Sequence, residues 1–253
     1  MQIPVRIVLV ETSHPGNVGA VARAMKTMGL HDLALVAPQA FPHADATARA
    51  AGADDLLVGA RITDDLNGAI ADCHYVVGAS ARTRAGRWPI LDPRTAAETI
   101  VARLAEERCA ILMGPEQSGL TNADLSRCHA LVHIPTSPEY GSLNIAMAVQ
   151  VLCYELRMAA LARASWEPLS QPAHHEAPPA TAEEVEGFQV QLEKALVESG
   201  FLHPSHPTEL KRKLRRLFLR AGLDRKEINI LRGAIASLEA NRRADGDDGD
   251  SDG

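Results

Sequence analysis

Six short apolar runs alternate with stretches of helical periodicity up to about residue 163, and this alternation restricts the fold more than any other feature. The runs lie at 6–10, 33–36, 56–58, 75–78, 110–113 and 131–134. Helical spacing falls at about 17–28, 44–51, 64–72, 94–107, 121–127 and 144–163. Strands alternating with helices at this spacing need crossover connections. The expectation is an α/β domain over 1–163, a mostly parallel sheet covered by helices. In such a sheet the functional loops gather beyond the carboxyl ends of the strands. No run approaches ~18 uninterrupted apolar residues, so no membrane span is expected. The opening MQIPVRIVLVETSH reads as a first strand, with no small-residue cleavage site of a signal peptide.

After residue 163 the pattern changes. Residues 164–180 hold four prolines and no periodicity, which predicts a linker. Thr181 and Glu184 then form a capping-box pattern, followed by Val185, Phe188, Leu192 and Leu196 at helical spacing. A second helix is predicted from about Thr208, with Leu210, Leu214, Leu217 and Phe218 on one stripe. A third, over about 224–241, carries Ile228, Leu231, Ile235 and Leu238. Residues 181–241 should therefore form a small all-α module, and 242–253 a disordered acidic tail.

Charge enters at this point. The formal net charge is −6, but the last nine residues carry five Asp and no base. Residues 203–232 carry nine Lys or Arg against three acids. A local positive face matters more for RNA binding than the total, so Lys211, Arg212, Lys213, Arg215, Arg216 and Arg220 are candidate RNA contacts, expected to lie largely outside the module's apolar packing. The four cysteines, Cys73, Cys109, Cys128 and Cys153, contain no CxxC pair. They read as buried thiols of a cytoplasmic protein, and no metal site is expected.

Three segments carry possible chemistry. Residues 11–29 follow a strand and open a helix, with Asn17 as a candidate N-cap, Gly16 and Gly19 allowing close backbone approach, and Arg23 outside the apolar stripe. Residues 112–125 run from a buried strand through a loop bounded by Gly114 and Gly119, with Glu116 inside it and Thr121 as a cap. Residues 133–156 end a strand at Ile134, pass through a polar loop, and enter an apolar helix at Ser142-Leu143-Asn144, with Ser142 the expected N-cap. Each segment alone is equally a capped strand-to-helix turn.

Together, and in this order, they resemble the three motifs of the SPOUT (SpoU–TrmD) RNA methyltransferases, SpoU branch. The matching residues are Asn17 with Arg23, Gly114-Glu116-Gly119-Leu120, and Ser142-Leu143-Asn144. The GASAR at 78–82, the stretch 88–94 and the segment PEYGSLNIAMAVQV are similar to the branch members that methylate tRNA nucleotide 32 in the anticodon loop.

The resemblance implies a trefoil-knotted sheet, a homodimer, and an S-adenosylmethionine-dependent tRNA cytidine/uridine 2′-O-methyltransferase. It implies cofactor contacts at Ala79, Ser80, Ala81, Gly114, Glu116, Gly119, Leu120, Ile134, Ser142, Leu143 and Asn144. Arg23, Asn17, Ser142 and Asn144 would serve the reaction, and Arg82 and Arg84 would touch phosphate. Because a guanidinium stays protonated, Arg23 is expected to hold a phosphate and stabilise the developing alkoxide, with phosphate or water taking the proton. Asn17 would orient Arg23 or the ribose. A methyl transfer to ribosomal RNA or another tRNA ribose, or RNA binding without catalysis, are the other readings.

Overall fold

The computed structural model describes residues 1–81, 88–164, 177–202 and 208–247. The chain divides into two compact units, Met1–Gln171 and Pro172–Gly253.

The first unit is built on seven strands: β1 (Ile3–Val10), β2 (Leu30–Val36), β3 (Arg61–Thr63), β4 (Tyr75–Ala79), β5 (Ile90–Leu91), β6 (Cys109–Met113) and β7 (Ala130–Val132). Their order is β3-β2-β1-β6-β4-β7-β5, and every pair is parallel. Parallel pairing needs crossovers, and seven helices supply or follow them: α1 (Pro15–Met28), α2 (Ala44–Ala50), α3 (Asp54–Val58), α4 (Leu66–Ile70), α5 (Pro93–Arg103), α6 (Asn122–Leu125) and α7 (Ile145–Ala164).

Side chains alternate across the strands. Ile7, Leu9, Leu33, Leu35, Val77 and Ile111 face Val18, Val21, Met25, Ile100, Val149 and Leu152, which places α1, α5 and α7 on that side. α7 is apolar and long enough to cross a membrane by length and composition, yet its Val149, Leu152, Cys153 and Leu156 are core residues. Gly19 is where α1 meets α2: a Cβ there would stand 2.0 Å from the Ala46 carbonyl oxygen. The opposite face of the sheet meets α4 and α6. Gly78 sits against Leu120, Leu125 and Cys128. Arg6 crosses the same face, buried, with Nε donating to Asp32 at 3.0 Å and Nη1 to the Ala69 carbonyl at 2.9 Å. Asp72 completes its partners, and the hydrogen bonds from Arg6 hold that carboxyl well below the usual carboxylate range against the opposing effect of burial. This stabilisation is complete above the ordinary carboxylate range and is lost as acid titrates Asp72 through its depressed pKa. All four cysteines are buried thiols, and burial pushes Cys73, Cys109 and Cys153 up to about 12.

One expectation fails here, and two strands have no counterpart in the sequence pattern. The run 56–58 belongs to α3, and the strand that follows it is β3. Asp54 and Asp55 in the first turn favour the helix end, and three apolar residues carry no period by themselves. β3 and β5 went unseen because they are three and two residues long, with no buried side chain to leave a pattern.

The second unit comprises α8 (Ala182–Glu198), α9 (Thr208–Ala221) and α10 (Arg225–Asp247). Thr181 and Glu184 form both halves of a capping box at α8. Phe188 and Phe218 meet edge to face at 4.7 Å, in a cluster with Ile228 and Ile235. Pro179 and Ala180, read as the end of a linker, pair with Asp224 and Leu223 and so belong to this unit. Residue 164 closes α7, and 165–176 fall outside the described residues. α10 extends six residues into the stretch expected to be a tail. Its Arg242, Arg243 and Ala244 are good helix formers that continue a helix already nucleated.

Candidate functional site

β1, β6, β4 and β7 are neighbours in the sheet, so the loops after them emerge at one edge. The loops after β1 and β6 and the one leading into α7 are joined there by side chains. Asn17 Nδ2 donates to Glu116 Oε1 at 2.8 Å. Asn144 Nδ2 donates to Asn17 Oδ1 at 3.1 Å. The Ser13 N–H and hydroxyl donate to Glu116 Oε2 at 3.2 and 3.0 Å. One residue from each of three separated segments thus closes a chain of hydrogen bonds. Partial burial raises the Glu116 pKa, but the bonds from Asn17 and Ser13 outweigh it, and the net shift is downward. Glu116 is therefore an ionised acceptor at neutral pH.

The local sequence explains each position. Asn17 is not the N-cap of α1. The helix begins at Pro15, with His14 capping by backbone alone, so Asn17 lies inside the first turn and its amide is free to reach Glu116. Ser142 is not the cap of α7 either. It is exposed, and Asn144 accepts from the Ala146 N–H at 2.8 Å. Asn144 therefore caps one helix and ties down another with opposite ends of one amide. The loop after β6 is tight. Gly119 N–H donates to the Pro115 carbonyl at 2.8 Å, and Gly119 takes the left-handed φ of 67°. A Cβ on Gly114 would stand 2.2 Å from the Leu120 nitrogen. Leu120 is buried, and Thr121 caps α6 with Asp124 in a capping box.

The other predicted contacts take their places around this edge. Ala79 and Ser80 are half-buried at the end of β4, and Ala81 is exposed. His133 Nδ1 lies 3.0 Å from the Ser80 carbonyl. A carbonyl only accepts, so the ring donates from Nδ1, linking the loop after β7 to the one after β4. Ile134 is half-buried against the core, and Leu143 is exposed beside Asn144. Arg82 and Arg84 lie outside the described residues.

Arg23 does not join the cluster. It is exposed on α1, six residues beyond Asn17, roughly 9 Å along the axis. Asn17 spends its amide on Glu116 and Asn144 rather than on Arg23. Ser13 and His133 were missed from sequence. A carboxylate in the second segment needs donors, and the serine three residues past the end of β1 was the available signal for one of them.

Removing the Asn144 amide should unpair Asn17 Oδ1 and uncap α7. Asn144→Ala is expected to cost about 0.5–2 kcal/mol, the range for losing a helix N-cap, because the bond to Asn17 is exposed. The loss should be measurable by thermal melting and as roughly two- to thirtyfold weaker ligand binding or turnover at this edge. Melting and binding unchanged from the parent would reject the role.

In the second unit the basic residues of α9 divide. Lys211 pairs with Glu193, and Arg215 with Glu186, both half-buried against α8. They flank the Leu214–Phe218 stripe and meet the acids of the facing helix, so the expectation that all six bases lie largely outside is corrected for these two. Lys213 is 61% exposed and Arg220 is exposed, while Arg212 and Arg216 are intermediate.

Residues 4–154 match the SpoU rRNA Methylase family. Residues 183–249 match the C-terminal domain of the tRNA methyltransferase TrmJ. The chain is 50% identical over 241 residues to the tRNA (cytidine/uridine-2′-O-)-methyltransferase TrmJ of Klebsiella pneumoniae, covering 94% of this chain and 98% of that one. It is 48% identical over 240 residues to the tRNA (cytidine/uridine/adenosine-2′-O-)-methyltransferase TrmJ of Pseudomonas aeruginosa, covering 93% of each. The crystal structure of TrmJ from Z. mobilis superposes with a TM-score of 0.81 at 35% identity, covering 94% of this chain and 99% of that one. With this parallel sheet, three motif segments meeting at one edge and relatives matched nearly end to end, the chain belongs to the SpoU rRNA methylase family.

Proposed function

We propose that this protein transfers a methyl group from S-adenosylmethionine to the 2′-hydroxyl of a tRNA ribose, at nucleotide 32 of the anticodon loop. The observation that carries the reading is the Asn17–Glu116–Asn144 chain, which draws three distant segments onto one sheet edge. The residues there fit the cofactor's chemistry. An ionised carboxylate and the exposed residues 141–144 suit a cationic sulfonium nucleoside. Ala79, Ser80, Ala81, Gly114, Glu116, Gly119, Leu120, Ile134, Ser142, Leu143 and Asn144 would hold it, in a pocket bounded by the trefoil knot of the family. When bound, it supplies a methyl group already made electrophilic by the positive sulfur.

The protein's part is alignment and charge. Asn17, Glu116 and Asn144 fix the loops. Arg23 remains available to an RNA phosphate and to the developing alkoxide, and a phosphate oxygen or water takes the proton. A homodimer working in the cytoplasm, with no resident metal, fits this chemistry.

The helical module would grip tRNA through the outward bases of α9. Replacing the exposed Lys213 and Arg220 with Ala should weaken tRNA binding about tenfold. The salt slope should fall by roughly 0.7–0.9 for each phosphate that is no longer neutralised. An unchanged slope would make these charges a solvated face. Lys211→Ala and Arg215→Ala should instead loosen α8 from α9 and lower the melting temperature.

The test of the activity is a ribose-methylation map of total RNA from a strain lacking this protein. Loss confined to tRNA nucleotide 32 is the expected result. An intact tRNA map with a missing ribosomal methyl would favour the ribosomal reading, which the name of the matched family raises.

A further inference from the structure

The loop between β7 and α7 presents a large aromatic side chain to solvent. Tyr140 is 80% exposed. Its backbone is firmly placed. Ser137 and Tyr140 form an antiparallel bridge, with the Tyr140 N–H donating to the Ser137 carbonyl at 3.2 Å. The Thr136 hydroxyl donates to the Gly141 carbonyl at 3.2 Å, and the Glu139 N–H to the Ser137 hydroxyl at 3.3 Å. Pro135 and Pro138 stiffen the same turn. Four residues on, Asn144 is anchored to Asn17. An extended chain of that length spans at most about 14 Å, so the Tyr140 backbone lies within that distance of Asn144, on a braced loop.

Aromatic residues are only 4% of the chain. In the first unit, the exposed ones among the described residues are Tyr140 and Tyr154. Tyr154 lies ten residues along α7, roughly 14 Å up its axis from the sheet edge. Tyr140 is thus the aromatic face that the fold offers at the carboxyl edge of the sheet. Single-stranded RNA loops are recognised by splayed bases that stack on such faces, and stacking tolerates any base because every base has a π-face.

We infer that Tyr140 stacks on the base of the nucleotide whose ribose is methylated, an inference that rests on the proposed ribose methylation. The ring sets where the nucleotide lies, while Asn17, Glu116 and Asn144 set the loops beneath it. The phenol hydroxyl has no part in the stacking. Base identity should therefore affect the rate little.

The test is a cycle between protein and RNA. Parent, Tyr140→Ala and Tyr140→Phe are assayed for kcat/KM on a full tRNA and on the same tRNA assembled with an abasic ribose at the methylated nucleotide. Cofactor affinity is measured by calorimetry for each protein. On the full tRNA, Tyr140→Ala should fall about tenfold or more and Tyr140→Phe should stay within about twofold. On the abasic tRNA the three proteins should be alike, and cofactor affinity should be the same throughout. A Tyr140→Ala loss of equal size on both RNAs would overturn the inference and make the ring a support for the loop. So would a Tyr140→Ala rate equal to the parent on the full tRNA, or a Tyr140→Phe loss as large as that of Tyr140→Ala. A parent enzyme that moves no methyl to tRNA ribose would overturn the proposed function itself, a result distinct from all of these.

Discussion

Arg23→Ala should transfer methyl at least about a hundredfold more slowly while binding S-adenosylmethionine within about threefold of the parent, under ~0.7 kcal/mol. The separation follows from where the residue lies. Arg23 is exposed on α1, and the Thr27 hydroxyl donates to its main-chain carbonyl at 2.7 Å. Truncating it removes no packing and unpairs no buried group, so neither fold nor cofactor pocket should suffer. What it removes is a permanent cation, whose worth appears only when negative charge develops on the ribose oxygen or a phosphate must be held. Single-turnover methylation paired with calorimetric titration measures both quantities. Loss of cofactor binding in the variant would defeat this division of labour, and so would a parental transfer rate. Arg23→Lys should recover only part of the rate, because a point charge replaces a planar fork.

Gly114→Ala should cost the cofactor site about a hundredfold or more in affinity. A Cβ at this position meets the Leu120 nitrogen at 2.2 Å and the Gly119 carbonyl carbon at 2.4 Å. Both are backbone atoms and cannot rotate away. Leu120 is buried and Thr121 is held in the α6 capping box, so the loop is fixed at its far end. Relief must come from opening the turn at Pro115–Gly119, which carries Glu116 away from Asn17 and Ser13. Overpacking that moves backbone typically costs about 1–3 kcal/mol, and with two backbone atoms at 2.2 and 2.4 Å this site falls at the upper end of that range. Ser118→Ala, an exposed change in the same loop, should leave affinity close to the parent. Calorimetry on both variants, with thermal melting to confirm that Gly114→Ala is folded, makes the comparison. Parental affinity in folded Gly114→Ala would mean that the loop is not part of the cofactor site.

Most of the elements were legible in the residues themselves. Helical spacing placed α1, α2 and α7 and the starts of the three helices of the second unit to within a few residues, because periodicity and caps act within a turn or two. Thr121 and Thr181 were readable as caps for the same reason, each completed by an acid three residues on. The motif residues could be picked out by type and order. Their partners could not. Asn17 and Ser142 both looked like caps, and Asn17 instead serves a carboxylate 99 residues away. Asn144 does cap α7, but it also reaches Asn17 across 127 residues. Likewise, Lys211 and Arg215 read as outward charge on a helical wheel, since nothing local reveals that Glu193 and Glu186 stand opposite. Short-range preferences follow from backbone sterics and hydrogen bonding near each residue, and these the sequence by itself determined. Which donor meets which acceptor depends on the order of parallel strands, and placing β6 between β1 and β4 brings these loops to one edge. That order is a property of the whole chain's packing, and only the tertiary structure decided it.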